Sequence, residues 1–146
     1  MKQWEDLREE GRGSMARALW ELYRKFQHAA ANRYADLGWK GLTLAHVQFL
    51  AEVEEAGTRL TEVAASLGTT KQYVGKLARE IARYGLVEIR EDASDRRAVR
   101  IAPSKKGRSF LADACAIREE LEAGFLMRLG PERSRVFLQA LEDLLH

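Results

Sequence analysis

The sequence has 146 residues, of which 46% are hydrophobic and 32% charged, and its formal net charge is +2. This length and balance predict one globular domain spanning residues 1–146 and make a second domain unexpected. No stretch approaches the eighteen apolar residues of a membrane span, the N-terminus lacks a secretion signal, and the single cysteine excludes an intrachain disulfide. We therefore expect a soluble, cytoplasmic protein with no membrane partner.

The charge is unevenly distributed along the chain. Residues 69–108 carry eleven basic side chains against five acidic ones, an excess of six, so the remainder of the chain is acidic by four charges. A basic middle between acidic flanks is typical of a lobe that binds a polyanion. An ordinary solvated surface has the same composition, so charge alone leaves both interpretations open.

Two helices are predicted before the basic segment, after a first dozen residues that we expect to be frayed. Apolar residues recur at steps of three and four from Ala16 to Leu37, the period of a long amphipathic helix, and Gly38 ends it. Thr43 can cap a second helix that continues to Val53.

The next two helices form one unit. A short third helix is predicted from Thr61 to Leu67, with Gly68 as its C-terminal stop. Thr69 and Thr70 then offer N-cap hydroxyls for a fourth helix. Its predicted buried stripe consists of Val74, Leu77, Ala78 and Ile81. Two helices joined by a glycine-containing turn are typical of a helix-turn-helix.

The hydrophobic period changes from about 3.6 to 2 after Gly85. Residues 86–90 and 99–103 alternate between apolar and polar positions, which predicts two antiparallel strands joined by a charged loop at 91–98. Pro103 has no N–H and is expected at a strand end or edge. The helix-turn-helix is thus followed by a predicted β-hairpin with its charges at the tip.

Two more helices complete the predicted fold. The helical period returns from Phe110 to Leu129, and Pro131 is well placed to begin a final helix. These two helices and the first long one have wide apolar faces that a chain of this size cannot cover. We therefore expect residues 14–38 and 105–146 to pack on a second copy of the chain.

The start of the fourth helix has the side chains of a nucleic-acid reader, because the second helix of such a unit lies in the major groove with its N-terminal residues at base edges. A glutamine there can pair with adenine, lysines can bind guanine or phosphate, and threonine hydroxyls suit phosphate oxygens. The candidate contact residues are Thr69, Thr70, Lys71, Gln72, Tyr73 and Lys76. An ordinary surface helix with capping threonines remains the alternative.

The hairpin tip supplies a second signal. An arginine such as Arg96 or Arg97 can enter a narrow minor groove, where the negative potential is concentrated. Asp95 beside them can accept hydrogen bonds from a guanidinium and hold the long side chain in one pose. We expect Asp95 to position an arginine, although a mixed-charge exposed turn is the commoner fate of such sequences.

Residues 42–107 resemble the winged helix-turn-helix of the MarR family of bacterial transcriptional regulators. The family's wing reads D-x-R, then an alternating strand and L-T-x-x-G, and this chain has Asp95-Arg96-Arg97 and, later, Pro103-Ser104-Lys105-Lys106-Gly107. LTEVAASLG matches the first helix of the motif. The chain departs from the family pattern at Pro103 and Ser104 in the wing, and at Tyr73 and Gly75 in the reading helix.

This resemblance implies a mainly α fold with a small β-hairpin wing (α+β), in which long N- and C-terminal helices form a homodimer. It also implies a repressor of a pseudo-palindromic operator in double-stranded DNA. Two reading helices would lie in successive major grooves and the wings in flanking minor grooves. Arg97 would be the wing-tip arginine and Asp95 its buttress.

MarR-like proteins are often released from DNA by small phenolic or aromatic carboxylate ligands, so a small aromatic effector is implied as well. Trp20, Trp39, His46 and Phe49 lie near the expected crevice by position, although aromatic residues mostly serve packing. Cys115 raises the alternative of a thiol-based redox sensor, although a buried thiol in this setting is more often inert.

No catalytic or metal-binding pattern is found. His28, His46 and His146 are scattered, and the chain has no H-x-x-x-H or C-x-x-C spacing, no phosphate-binding glycine loop and no nucleophile signature. We therefore expect no enzyme, no metal and no cofactor. A winged-helix module that contacts only other proteins is the remaining alternative, and the basic excess at 69–108 opposes it.

Overall fold

A computed structural model describes residues 1–146 as seven helices and three short strands. In chain order they are α1 (Trp4–Arg12), α2 (Met15–Asp36), α3 (Leu44–Ala51), β1 (Thr58–Arg59), α4 (Leu60–Ser66), α5 (Lys71–Arg83), β2 (Val87–Glu91), β3 (Val99–Pro103), α6 (Lys105–Leu129) and α7 (Pro131–Leu145). The strands form one antiparallel sheet in the order β1-β3-β2. The predicted fold class, mainly helical with a small hairpin wing, is confirmed.

The helix-turn-helix consists of α4 and α5, and each helix begins and ends within a few residues of the prediction. Gly68 has φ +60°, the left-handed backbone that a glycine adopts without steric cost, and this turns the chain from α4 toward α5. Thr70 is the N-cap of α5, where its hydroxyl oxygen accepts the backbone N–H of Tyr73 at 3.2 Å. The predicted stripe of α5 is buried at all four positions: Val74, Leu77, Ala78 and Ile81.

The N-terminus differs from the prediction, because the residues expected to be frayed form α1. Glu5 and Asp6 lie in its first turn and Arg12 in its last, and charges in these places interact favourably with the helix dipole. None of its residues is buried, so local interactions rather than packing hold this helix. Apolar periodicity, the signal that predicts the longer helices, has no bearing on such a segment.

The first strand was not predicted. Thr58 pairs with Ile101 and Arg59 with Arg100, so β1 extends the hairpin to three strands. Two residues are too few to show a hydrophobic period, which is why the sequence gives no signal for β1.

Pro103 ends β3, as expected for a residue without an N–H. It lies opposite Val87, and Ser104 follows as the N-cap of α6. The Ser104 hydroxyl accepts the N–H of Gly107 at 3.0 Å and donates to the carbonyl of Gly85 at 2.6 Å. The strand therefore passes directly into the N-cap of α6.

The core lies inside the lobe formed by α3–α5, the sheet and the adjoining halves of α2 and α6. Phe110 of α6 packs edge-on against Tyr34 and Trp39, with ring centroids 5.4 and 5.3 Å apart. No residue before Ala30 or after Ile117 is buried. The first half of α2, the second half of α6 and all of α7 therefore project from the lobe as an arm.

Candidate nucleic-acid interface

The polar face of α5 is directed to solvent. Burial of the apolar stripe fixes the rotation of the helix, so the opposite side is available to a partner. Of the predicted contact residues, Thr69 is half-buried, and the exposed ones are Thr70, Lys71, Gln72, Tyr73 and Lys76. We call α5 the reading helix from here on. Its first turn is therefore accessible to a partner, and its contacts with DNA bases stay a prediction.

The tip of the hairpin, residues 92–98, holds Arg96 and Arg97, both exposed. Asp95 does not contact a guanidinium here, which differs from its predicted role. Its Oδ1 instead accepts the backbone N–H of Arg97 at 2.9 Å, while its carbonyl accepts the N–H of Ala98 at 3.0 Å. Asp95 therefore shapes the turn that carries Arg97 and does not hold the Arg97 side chain. We call β2, residues 92–98 and β3 together the wing.

A residue that the sequence analysis missed organises the base of the wing. The carboxylate of Asp92 is 3% exposed, and its Oδ2 accepts hydrogen bonds from the Nε atoms of Arg59 and Arg100, each at 2.8 Å. Its Oδ1 accepts the backbone N–H of Ser94 at 2.8 Å and the Ser94 hydroxyl at 2.6 Å. The hydrogen bond from Arg59, followed by those from Ser94, holds the pKa of Asp92 far below its ordinary value.

The Asp92 cluster joins three parts of the lobe that are distant in sequence. Arg100 also donates to the carbonyl of Gly57 at 2.7 Å, and Arg59 donates through Nη2 to the hydroxyl of Ser94 at 3.1 Å. The wing loop is thus fastened to β1 and to the loop before it. A buried carboxylate with this many donors holds its neighbours in a single arrangement.

A cleft of about 350 Å³ separates the wing from the start of the reading helix. We call it the wing cleft; it is lined by Arg59, Leu60, Thr61, Lys71, Asp95, Arg97, Ala98 and Val99. It brings Lys71 and Arg97, two residues predicted to contact DNA, to the same opening. The two predicted contact elements therefore face one partner from the same side of the lobe.

The four residues predicted to line a ligand crevice are not brought together. Phe49 is fully buried in the core, and Trp39 packs on Phe110 while its indole N–H donates to Asp113 at 2.7 Å. Trp20 lies on the exposed part of α2, between two guanidinium groups of its own helix. Of the four, only His46 lines a large cavity. Phe49 and Trp39 therefore serve packing, the alternative to a ligand crevice, whereas Trp20 lies on the surface of α2.

His46 links α3 to the reading helix. Its Nδ1 accepts the backbone N–H of Thr43 at 3.0 Å, so Nε2 carries the proton and donates to Glu80 at 3.0 Å. This hydrogen bond is the main cause of a lowered pKa at Glu80, and the positive charge of Lys76 adds to it. The cavity beside this pair measures about 670 Å³ and is lined by Gly41, Thr43, Ala45, His46, Tyr73, Lys76, Leu77, Glu80, Arg83 and Tyr84.

The arm carries an apolar groove between α2, α6 and α7. Nine of its ten lining residues are hydrophobic, and Phe26 and Phe125 meet there with ring centroids 5.8 Å apart. The groove is lined by Leu19, Leu22, Tyr23, Phe26, Glu122, Phe125, Leu126, Phe137, Leu138 and Leu141. An open apolar surface of this kind is typical of a site that contacts another protein, a membrane or a ligand. We call it the arm groove.

Other candidate chemistry is sparse. Cys115 is half-buried in α6, and no group of three potential metal-binding side chains is clustered. None of the helices combines the length and the apolar character needed to cross a membrane.

Comparison with known proteins finds a family match within the lobe. Residues 40–98 match the model of the MarR family. The fold is similar to that of S. aureus MepR in a complex with DNA, with 18% identity, a TM-score of 0.76, and coverage of 90% of this chain and 96% of MepR. No match was found among curated proteins.

Two further solved structures have the same fold. A MarR transcriptional regulator from Methanosarcina mazei Go1 shares 20% identity and a TM-score of 0.75, covering 90% of this chain and 93% of that one. The transcriptional regulator Tm0710 from Thermotoga maritima shares 25% identity and a TM-score of 0.58, with 88% and 89% of the two chains covered. The similarity thus extends over the arm as well as the lobe.

Proposed function

Residues 40–98, which hold the helix-turn-helix and the first part of the wing, match the MarR family, and we propose that the protein is a homodimeric, sequence-specific transcriptional regulator of this family. It represses by binding a pseudo-palindromic operator in double-stranded DNA. Each lobe reads one half of the operator.

One observation carries the proposal: Lys71 of the reading helix and Arg97 of the wing open onto the same cleft. A helix and a loop on one side of a lobe can enter adjacent grooves of one duplex. Arg59 lines the same cleft as these two cations. A module that contacts only proteins, the alternative function, does not require three cations in one cleft. Phosphate groups are the partner that such a surface favours.

The roles of the contact residues follow from their chemistry. Gln72 pairs with adenine in the major groove, and Lys71 and Lys76 bind guanine or phosphate there. Arg97 enters the minor groove, where a guanidinium loses its hydration at lower cost than an ammonium. Tyr73, a large side chain at an exposed position of the reading helix, contributes to the choice of operator.

The second copy of the chain covers the arm groove. Leu138 and Val136 of α7 are each at least half exposed in the single chain, as are Leu144 and Leu145 near its end. Burying such a surface against its own copy gives a two-fold dimer, and two-fold symmetry in the protein matches a pseudo-palindrome in the DNA.

A small aromatic effector fits the cavity beside the reading helix better than the crevice predicted from sequence. Tyr73 and Lys76 line this cavity and also belong to the proposed DNA-contacting face. A carboxylate bound to Lys76 or Arg83 would therefore compete with DNA for the same side chains. Titration of a preformed protein–DNA complex with aromatic carboxylates tests this part of the proposal.

The experiment that tests the function is selection of bound fragments from genomic DNA, including the region upstream of the protein's own gene. We expect enrichment of fragments that share an inverted repeat, and an affinity for them that falls steeply with salt. Weak binding that is equal on all fragments would contradict sequence-specific regulation.

A further inference from the structure

Arg59 stands at a position where arginine is unfavourable. It is the N-cap of α4, with φ −74° and ψ 145°, a position for which Ser, Thr, Asp and Asn are preferred because their side chains accept an N–H. A guanidinium has no acceptor. The Arg59 backbone N–H is capped by Glu62 at 2.9 Å, but the first turn of α4 has no N-cap side chain. A residue that breaks a local rule in this way often serves a function.

The Arg59 side chain is fixed on one side and open on the other. Its Nε donates to Asp92 and its Nη2 to Ser94, whereas Nη1 makes no hydrogen bond within the chain. Asp92 is almost completely buried, while a third of the Arg59 side chain is exposed. The buried carboxylate therefore orients the guanidinium of a residue that lines the wing cleft.

Three cations from three different elements line that cleft: Arg59 before α4, Lys71 at the start of the reading helix and Arg97 in the wing. Asp95 is the only carboxylate among the lining residues, and one of its oxygens already accepts the N–H of Arg97. The cleft is thus positive overall. The hydroxyl of Thr61 adds a neutral donor, and a volume of about 350 Å³ admits a phosphodiester group with its sugars.

A duplex offers one such group where it is needed. A single sugar–phosphate backbone separates a major groove from the adjacent minor groove. A protein that places a helix in one groove and a loop in the other must straddle this backbone. The wing cleft lies between the reading helix and the wing, which is the position of that backbone.

We propose that the wing cleft binds a phosphodiester group of the DNA strand that runs between the two grooves, and that Arg59 is its main ligand, oriented by Asp92. This inference rests on the proposed function. Arg59 and Lys71 neutralise the phosphate. The side chain of Arg97 extends beyond the phosphate into the minor groove. Because the phosphate group is the same at every nucleotide, Arg59 contributes to affinity and to the position of the protein on the duplex but not to base preference.

The first test is the salt dependence of binding to the selected operator and to a shuffled duplex, using Arg59→Gln and Arg59→Lys. We expect Arg59→Gln to weaken binding about tenfold on both duplexes, and to lower the slope of log affinity against log salt by about 0.9 for each half-site. Arg59→Lys keeps the charge, so it retains the wild-type slope with lower affinity. An unchanged slope in Arg59→Gln would overturn the proposal.

The second test separates a phosphate contact from mere support of the wing. One neutral methylphosphonate is placed in turn at each backbone position of the operator. Wild-type protein should lose affinity at the position between the grooves, and Arg59→Gln, which keeps Lys71, should lose clearly less there. Arg97→Ala should remain sensitive at that position. The same loss in wild type and Arg59→Gln at every position would show that Arg59 only supports the wing.

The outcomes distinguish this site from the function on which it rests. If wild-type protein shows no preference among DNA fragments, the proposed function fails and the site fails with it. If wild type prefers its operator but Arg59→Gln retains the salt slope and the methylphosphonate pattern, only the site fails. Thermal unfolding of Arg59→Gln, compared with Arg59→Lys, which keeps a cation beside Asp92, identifies any loss of binding that comes from misfolding.

Discussion

The Nε atom of Arg100 donates to Oδ2 of Asp92 across 2.8 Å, and this ion pair joins β3 to the first residue after β2. The same oxygen accepts a hydrogen bond from Arg59 of the edge strand β1, so one buried carboxylate fixes the wing loop to both β1 and the central strand β3. The wing is therefore held in place before DNA binds. A loop ordered in advance loses less conformational entropy on binding, and this favours affinity.

The first prediction concerns Asp92. Asp92→Asn removes the charge that two arginines share, so hydrogen exchange of amides 92–98 should accelerate and operator affinity should fall severalfold. Asp95→Asn serves as the matched control, because an amide oxygen can still accept the Arg97 N–H. Equal exchange rates in the two variants would argue against Asp92 as the residue that fixes the wing.

A second prediction concerns pH and Glu80. Its folded-state pKa is lowered, chiefly by the hydrogen bond from His46, so the unfolded chain takes up this proton at a higher pH than the folded one. The stabilisation is present above the unfolded pKa of about 4.3 and is lost as the pH falls through the folded value.

Urea unfolding of wild type and Glu80→Gln between pH 3 and 7 measures this effect. Wild type should be the more stable protein at pH 7, and the difference in free energy of unfolding should shrink below about pH 4.3. A difference that is constant over this range would show that the ionisation of Glu80 makes no contribution.

The third prediction concerns the arm groove. Leu138→Glu places a charge in the arm groove, the surface that the proposed dimer buries, and desolvating that charge opposes association. Sedimentation should show dimeric wild type and monomeric Leu138→Glu. Ile89→Glu is the control, because Ile89 is 64% exposed but lies in the wing, and this variant should stay dimeric. Identical masses for wild type and Leu138→Glu would place the interface elsewhere.

The fourth prediction concerns the first turn of α6, where it meets the residue that precedes β2. Gly107 lies so close to β2 that an added Cβ would overlap the carbonyl oxygen of Leu86, and a backbone atom cannot move aside at low cost. Gly107→Ala should therefore reduce the free energy of unfolding by about 2 kcal/mol or more.

The matched control for that substitution is Gly75→Ala, also within a helix. Its Cβ would meet only a side-chain nitrogen of Arg79 at 3.6 Å, an ordinary contact. It should raise the stability by about 0.5–1 kcal/mol, because alanine loses less entropy in a helix than glycine. Thermal unfolding of both variants checks the pair, and equal effects would contradict the close approach at Gly107.

Much of the fold is predictable because the hydrophobic period of a helix or strand is set by residues that are neighbours in the sequence. The change from a period of 3.6 to 2 after Gly85 locates the wing, and the hydroxyl of Thr70 locates the start of the reading helix, within a residue or two of their observed bounds. The residues predicted to contact DNA lie on these two elements. Arg96, Arg97 and the first turn of α5 are exposed, as their places in the pattern predict.

The wing's internal support was not predictable in the same way. Asp92 and Arg59 are 33 positions apart and meet only because β1 pairs with β3, and β1 is too short for a pattern. The carboxylate chosen from sequence, Asp95, is adjacent to the arginines but bonds to backbone. Proximity in sequence therefore misidentified which acid orients an arginine. The four residues expected to form a ligand crevice lie apart for a related reason, since position along the chain does not tell which side chains face a common space.

The most direct test of DNA reading by this lobe compares wild type with Arg97→Ala on the selected operator and on a shuffled duplex, by fluorescence anisotropy across a range of salt. Arg12→Ala, which removes an equal charge from α1 outside the lobe, is the control. Wild type and Arg12→Ala should prefer the operator strongly. Arg97→Ala should bind it about tenfold more weakly, with the dimer intact and most of the loss confined to the operator. Equal affinity of wild type and Arg97→Ala for the operator, or equal affinity of wild type for both duplexes, would contradict the account.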